Sequence, residues 1–134
     1  MTPTAIVHEM MSHDQFSHWL GAEVMRIELG LCDLLMTVRP EMCNGMRIAH
    51  GGVSFSLADS AFAFACNSHG RLAVSIESSI SHFKAIQVGD ILRAQARQIH
   101  RSHKTGKYEV HVYNQEEDLV ALFLGTCYVR SAEW

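Results

Sequence analysis

Asp59 is the residue whose surroundings point most directly to chemistry. It is the only ionisable carboxylate between Gly51 and Ser68, a stretch without Lys, Arg or Pro that consists mainly of small and aromatic residues. A charged group in such surroundings is costly unless it is paired or takes part in a reaction. Asp59 is therefore either the ion-pair partner of an Arg or a general base or nucleophile, and the pattern alone allows both.

A His50-Gly51-Gly52 sequence opens the same stretch. At the start of a helix the backbone N–H groups lack partners within the helix, and the dipole there is positive. Glycine has no Cβ, so a ligand can approach the backbone closely. Such a start would polarise a carbonyl oxygen placed against it, although a plain turn is the alternative interpretation.

The element that must position these residues is a helix over Gly51–Ser68, closed by His69-Gly70. Its apolar residues leave no polar stripe, which is typical of a helix buried on all sides. It is too short and too rich in Ser and Gly to cross a bilayer, which needs about 20 predominantly apolar residues. We therefore expect a central helix that the rest of the chain wraps.

The residues before this helix predict a short helix and a hairpin. Residues 11–20 are expected to be helical, with Phe16 and Trp19 on the inward side. Residues 22–29 and 31–38 are two apolar runs separated by a glycine, which favours a β-hairpin.

After the helix the apolar residues alternate, which predicts strands over 72–83, 91–100, 108–114 and 119–130. The polar run 101–107 is expected to form a hairpin tip. The elements together predict an α+β fold in which one antiparallel sheet covers one buried helix.

Length and charge limit the classes of function. A chain of 134 residues predicts a single domain over residues 1–134. The formal net charge of −3 argues against a nucleic-acid partner, which would require a basic face. We expect no signal peptide, because the first residues lack a basic stretch followed by an apolar core. We also expect no membrane partner, because the central helix is too short to span a bilayer.

The cysteines and histidines predict neither disulfides nor a metal. The four cysteines are widely spaced and form no C-x-x-C, which favours reduced thiols in a cytoplasmic protein. His100 and His103 are three residues apart, but no third ligand is evident near them. We therefore expect no metal and no cofactor.

The HGG-x(6)-D pattern from His50 to Asp59, with Asn44 upstream, resembles the hotdog-fold thioesterases. It is most similar to the PaaI-type (phenylacetic acid degradation) acyl-CoA thioesterases, and residues 106–108 and 120–125 share this resemblance. The resemblance implies an antiparallel sheet wrapped around one long helix, and a homodimer or homotetramer with active sites at the dimer interface. It also implies hydrolysis of acyl-CoA thioesters, with phenylacetyl or hydroxyphenylacetyl as the acyl group.

The same resemblance assigns the catalytic roles. The Gly51 N–H polarises the thioester carbonyl, and Asp59 is the general base or the nucleophile. Asn44 lies near the thioester carbonyl or the partner's carboxylate, unless it only holds its loop. His50 either positions the substrate or only caps the helix. Ser75 holds the attacking water, or is a strand serine facing solvent.

Substrate contacts are expected from the same helix. Gly52, Phe55 and Phe62 are the expected substrate-binding residues, with Phe64 as a further candidate for the acyl pocket. The chain departs from the family pattern at 82–85, where it reads His-Phe-Lys-Ala in place of an apolar-Arg-Pro turn. This departure affects local substrate contacts rather than the fold.

The spacing of Gly51 and Asp59 argues for a dimer. Asp59 lies eight residues after Gly51, roughly 12 Å along a helix that rises about 1.5 Å per residue. One helix cannot easily bring both groups to the same carbon atom, whereas a second protomer can present its own Asp59.

Two other classes of function remain. A hotdog hydratase or dehydratase acting on acyl-CoA would use a His with a carboxylate, but the Asp-x(4)-His pair of one such group is absent, because Phe64 stands five residues after Asp59. A non-catalytic acyl-CoA-binding module would be expected to lack the carboxylate that Asp59 provides.

Overall fold

Three α-helices, one short 3-10 helix (Pro40–Met42) and six strands make up the fold in the computed structural model, which describes residues 1–134. The helices are α1 (Pro3–His13), α2 (Gln15–Leu20) and α3 (Gly51–Asn67), and the strands are β1 (Glu23–Glu28), β2 (Leu31–Thr37), β3 (Arg71–His82), β4 (Ile91–Arg101), β5 (Thr105–Tyr113) and β6 (Leu119–Glu133). All six strands form one sheet in the order β1-β2-β4-β5-β6-β3, and every neighbouring pair is antiparallel. The predicted α+β architecture is confirmed.

The core lies between the sheet and α3. Alternate residues of the central strands face the helix and are fully buried, as the period of two in their sequences predicts. Gly125 on β6 allows this close packing, since a Cβ there would come within 3.0 Å of the Phe62 ring. Phe62 itself packs against Phe123 and Tyr108, with ring centroids 5.7 Å apart in both pairs.

The prediction of a helix buried on all sides is wrong for one face of α3. Residues about one turn apart, most of them small or polar, form a stripe along the helix that the sheet covers only partly. They are Gly52, Phe55, Ser56, Asp59, Ser60 and Ala63. A single sheet curls only part of the way around a helix, so this stripe is left half-open in the chain by itself.

The N-terminal helix prediction needs correction. Helix is present from Pro3, but it stops at His13, and Asp14 ends α1 and caps α2 through a 2.9 Å bond from the Ser17 N–H to Oδ1. Thr2 before Pro3 is a helix-start signal that predicts α1. Phe16 and Trp19 do not point inward, because their exposed fractions are 55% and 52%.

The hairpin tip is shorter than predicted. β4 continues to Arg101 and β5 begins at Thr105, so only residues 102–104 form the turn. The backbone ladder continues between Arg101 and Gly106 although their neighbours are polar. The remaining strand predictions and the β1–β2 hairpin are confirmed with boundaries shifted by a few residues. None of the three helices is long and apolar enough to cross a membrane.

Asn67 fixes the end of α3 to the start of β3. Its Nδ2 group donates to the carbonyl oxygens of Ala63 and Ala73 at 2.9 and 3.0 Å. Its Oδ1 atom accepts from the Ala73 N–H and from Nε1 of Trp134, both at 2.9 Å. This side chain is buried and fully bonded, so it sets how β3 leaves the helix.

Asn67→Ala is expected to lower the free energy of unfolding by about 2–3 kcal/mol, because it leaves the backbone groups of Ala73 buried without partners. Trp134→Phe keeps the aromatic ring but removes one hydrogen bond, so we expect a loss of about 0.5–1.5 kcal/mol. Urea denaturation of both variants measures the difference. Equal losses in the two variants would contradict this role of Asn67.

Candidate active site

The start of α3 leaves one backbone N–H without a partner. His50 is the N-cap residue, and its Nδ1 atom accepts a 2.8 Å hydrogen bond from the Gly52 N–H. The Val53 N–H donates to the His50 carbonyl oxygen at 2.9 Å. The Gly51 N–H has no acceptor within the chain. It is therefore free to donate to a ligand at the positive end of the helix dipole.

A cleft of about 350 Å³ lies beside this free N–H. Its walls come from the start of α3, the loop before it and the end of β3. They are Asn44, Ile48, Ala49, Gly51, Ser54, His82, Phe83, Lys84, Ala85 and Ile86. The cleft thus has polar groups around Gly51 and hydrocarbon on the remaining sides.

Asn44 lies in this cleft and also holds its own loop. Its Oδ1 atom accepts a 2.9 Å hydrogen bond from the Met46 N–H, and its backbone N–H donates to the Ile48 carbonyl oxygen at 2.8 Å. The side-chain NH₂ group has no partner within the chain. Asn44 can therefore hold the loop and still offer a donor to the cleft.

Two further polar residues of the cleft, Ser54 and His82, are absent from the predicted site. Nε2 of His82 lies 2.9 Å from Oγ of Ser54, which donates to the Gly51 carbonyl oxygen at 3.2 Å. Ser54 lies three residues after Gly51, just under one helical turn, so both face the same side at the start of α3. The position of His82 depends on strand β3, and no sequence spacing indicates it.

Asp59 has no ion-pair or hydrogen-bond partner within the chain, so the arginine pairing that the sequence allows is not present. The side chain is half-buried on the open stripe of α3. Burial raises the pKa of Asp59 above its ordinary value, since the charged form loses water contacts. A carboxylate held in this way is a stronger base than one in water.

A second cleft, of about 390 Å³, contains Asp59 and Ser75. Phe62 and Trp134 also line it, and Ser75 Oγ lies 3.1 Å from Ser78 Oγ. Ser75 is exposed at the edge strand of the sheet. The structure thus brings Asp59, Ser75 and Phe62 together, but away from the Gly51 cleft.

The remaining predicted residues lie elsewhere. His50 and Gly52 line a third cleft, of about 360 Å³, together with Phe16 and Trp19 of α2. Phe55 is half-buried and packs edge-on against a core phenylalanine with a centroid separation of 5.4 Å. Phe16 and Trp19, the aromatic residues of α2 in the third cleft, are also absent from the predicted site.

Phe64, the further acyl-pocket candidate, is fully buried and lines none of the three clefts. Lys84 lines the Gly51 cleft and pairs with Asp118, with 2.5 Å between Nζ and Oδ2. No cluster of three or more His, Cys, Asp or Glu side chains could hold a metal ion.

Comparison with known protein families identifies the family of this chain. Residues 46–121, which include Gly51, Asp59 and most of the sheet, match the model of the Thioesterase superfamily. The chain belongs to the thioesterase superfamily. The hotdog fold is the architecture of this thioesterase, and its chemistry is the hydrolysis of thioesters.

Individual relatives agree with the family assignment. This thioesterase is 40% identical to the acyl-coenzyme A thioesterase PaaI of Escherichia coli over 118 residues, 88% of this chain and 84% of that protein. The structure of E. coli PaaI matches with a TM-score of 0.96 and 36% identity, covering 98% of this chain and 95% of that one. A Streptococcus mutans protein bound to acetyl CoA matches with a TM-score of 0.81 and 29% identity, covering 84% and 91%.

Proposed function

We propose that this thioesterase hydrolyses acyl-CoA thioesters whose acyl group is aromatic, of the phenylacetyl or hydroxyphenylacetyl type. The observation that carries the proposal is the unpaired Gly51 N–H in a cleft, eight residues away from an unpaired Asp59 on the same helix. The similarity to a PaaI acyl-CoA thioesterase supports the substrate class. The four free cysteines support the cytoplasm as the proposed location, because free thiols are typical of reducing compartments.

The proposed reaction begins with the thioester carbonyl oxygen bound to the Gly51 N–H. Asp59 of a second protomer removes a proton from water, and the water oxygen forms a bond to the carbonyl carbon. Negative charge develops on the carbonyl oxygen, where the Gly51 N–H and the helix dipole stabilise it. The carbon–sulfur bond then breaks, the sulfur takes up a proton, and the free acid leaves. In the alternative route the Asp59 carboxylate attacks the carbonyl carbon and forms a mixed anhydride as the carbon–sulfur bond breaks and the thiolate leaves. Water then hydrolyses the anhydride to the free acid, which restores the Asp59 carboxylate, and a proton released in this step neutralises the thiolate.

The second protomer is part of the proposal because no single chain closes the site. Gly51 and Asp59 line different clefts, and the helix between them spans roughly 12 Å at 1.5 Å per residue. The half-open stripe of α3 and the exposed apolar Val74 and Ile76 of edge strand β3 favour a homodimer, or a tetramer of two such dimers.

The other predicted residues receive supporting roles in this proposal. The free NH₂ group of Asn44 donates to the substrate or to the partner's carboxylate, and Ser75 holds the attacking water beside Asp59. His50 keeps Gly52 in place and so aims the neighbouring Gly51 N–H. Phe62 is only 1% exposed, but it lines the Asp59 cleft and would form the apolar floor under the acyl group. Gly52 and Phe55 lie along the open stripe where the substrate would pass.

The direct test is the release of free thiol from phenylacetyl-CoA, hydroxyphenylacetyl-CoA and a medium-chain aliphatic acyl-CoA. We expect turnover of all three, with the highest kcat/KM for an aromatic acyl group. Binding without thiol release would favour an acyl-CoA-binding module instead. Addition of water to an enoyl-CoA, followed by its absorbance, would favour a hydratase.

A further inference from the structure

Ser54 and His82 form a polar pair in the Gly51 cleft that the proposed mechanism does not use. Ser54 is only 1% exposed, and its hydroxyl donates to the Gly51 carbonyl oxygen at 3.2 Å. A serine hydroxyl has one hydrogen, so while that hydrogen is directed at the Gly51 carbonyl oxygen, Oγ is left to accept from Nε2 of His82, which is 2.9 Å away. We assign the neutral His82 ring the matching tautomer, with its proton on Nε2 and with Nδ1 as a hydrogen-bond acceptor.

The His82 ring lies directly against the backbone that would bind the thioester. A Cβ placed on Gly51 would lie 3.3 Å from Cε1 of His82 and 3.7 Å from Nε2. The ring edge therefore touches Gly51 on the side of its Cα, next to the free N–H. Any substrate whose carbonyl oxygen binds that N–H has its neighbouring atoms beside this imidazole.

Nδ1 of His82 has no hydrogen-bond partner within the chain. The residue ends strand β3, and its side chain is exposed to the cleft rather than packed in the core. A hydrocarbon segment of substrate at this wall would displace water from Nδ1 and leave it unpaired, which costs about 1–3 kcal/mol. A segment carrying an O–H or N–H group would instead replace the lost water.

We propose that His82 determines specificity by accepting, through Nδ1, a hydrogen bond from an O–H or N–H group of the substrate close to the thioester. This inference rests on the proposed function. Two parts of an acyl-CoA carry such a donor near the thioester: a hydroxyl one or two carbons from the carbonyl, or the first amide of the thiol arm. Ser54 fixes the ring so that Nδ1 is the free nitrogen.

Two variants separate the roles of the two ring nitrogens. His82→Phe keeps a ring of similar shape and removes both nitrogens. His82→Gln places an amide group where Nε2 lies, so it keeps a partner for Ser54 and removes the Nδ1 acceptor. Thermal melting and gel filtration check that both variants keep the fold and the assembly state of the wild type.

Two substrate pairs identify which donor His82 binds. The first pair is an acyl-CoA with and without a hydroxyl near the carbonyl. The second is one acyl group on N-acetylcysteamine and on an alkanethiol of equal length that lacks the amide. For one of these pairs we expect wild-type kcat/KM to favour the donor-bearing member about ten- to a hundredfold, and both variants to bring the ratio to about one.

A collapse of the first ratio assigns the donor to the acyl group, and a collapse of the second assigns it to the thiol arm. Unchanged ratios in His82→Phe overturn the proposal. A ratio lost in His82→Phe but kept in His82→Gln also overturns it, because the effect would then act through Ser54.

A binding measurement separates this proposal from the proposed function. Thioether analogues with a methylene between sulfur and the carbonyl cannot be hydrolysed, so their Kd ratios report recognition alone. A wild type that releases no thiol from any substrate overturns the proposed function. In that case the Kd ratio of the donor-bearing and donor-lacking analogues, compared between the wild type and the two His82 variants, still tests the role of His82.

Discussion

Asp59→Asn is expected to lower kcat for thioester hydrolysis by about two to four orders of magnitude, the usual contribution of a positioned general base. The amide has the shape of the carboxylate but cannot take up a proton or attack the carbonyl carbon. Thiol release measured at saturating substrate gives the effect directly. Turnover within threefold of the wild type would remove Asp59 from the mechanism.

A matched control makes the same chemical change elsewhere. Asp14→Asn replaces the residue that caps α2, and Asn is as good a helix cap as Asp. Asp14 lines none of the three clefts described above. We expect activity within about twofold of the wild type, so a large loss in both variants would indicate a general effect on the fold.

The raised pKa of Asp59 predicts that Asp59→Asn, which lowers activity, increases the stability of the folded state. The folded state holds the Asp59 proton more tightly than the unfolded chain, whose pKa is near 3.8. Wild-type stability therefore falls as the pH rises from this value through the folded-state pKa, while Asn at the same position does not titrate. Asp59→Asn should have a higher Tm than the wild type at pH 7, and the difference should shrink toward pH 4. A lower Tm for the variant at pH 7 would contradict this sign.

Gly51→Pro is expected to lower kcat by about two to three orders of magnitude, the usual cost of losing one oxyanion donor. Gly51 is the first residue of α3, the position in a helix that proline prefers. His50 before it already has the extended backbone that proline requires, with φ −60° and ψ 139°. The substitution therefore removes an N–H that has no partner in the chain and leaves the helix intact.

Gly51→Ala is the control for this change. It keeps the N–H and adds only a Cβ, which would lie 3.3 Å from Cε1 of His82, so the ring needs to shift by only a few tenths of an ångström. We expect Gly51→Ala to retain far more activity than Gly51→Pro, with the Tm of both close to that of the wild type. Equal activities of the Ala and Pro variants would show that the N–H is not the oxyanion donor.

Mixing the two inactive proteins tests whether one site uses two chains. In a heterodimer of Asp59→Asn and Gly51→Pro chains, one site carries both defects and the other carries neither. Random reassociation makes about half of the dimers mixed, so about a quarter of wild-type activity should return. Activity that stays at the level of the two parent proteins would place Gly51 and Asp59 of each site in the same chain.

The central helix, the hairpin and the strands could be predicted because their signals are local. Apolar and polar residues alternate along β4 and β5, and two glycines start α3. Both signals depend only on residues next to one another in sequence. The sequence pattern does not predict the first part of α1, although Thr2 and Pro3 are a helix-start signal, because the apolar residues of this helix do not form a clear stripe. The turn at residues 102–104 was overestimated because backbone pairing does not require apolar side chains.

Only the site residues that belong to the sequence motif could be predicted. Asn44, Gly51 and Asp59 carry recognisable types and spacings, and the structure puts the first two in one cleft. His82 reaches Ser54 because the register of β3 places its last residue over the helix start. Such a contact depends on tertiary packing, which no spacing in the sequence encodes.

The two tryptophans line two different clefts, so the intrinsic fluorescence of the protein can report ligand binding at each cleft. Trp134 lines the Asp59 cleft and is held by its hydrogen bond to Asn67, whereas Trp19 is half-exposed beside His50 and Gly52. A ligand that displaces water from one cleft changes the emission of one indole and leaves the other as an internal reference. Ligand occupancy of each cleft can therefore be followed in solution by tryptophan fluorescence, without an added label and without substrate turnover.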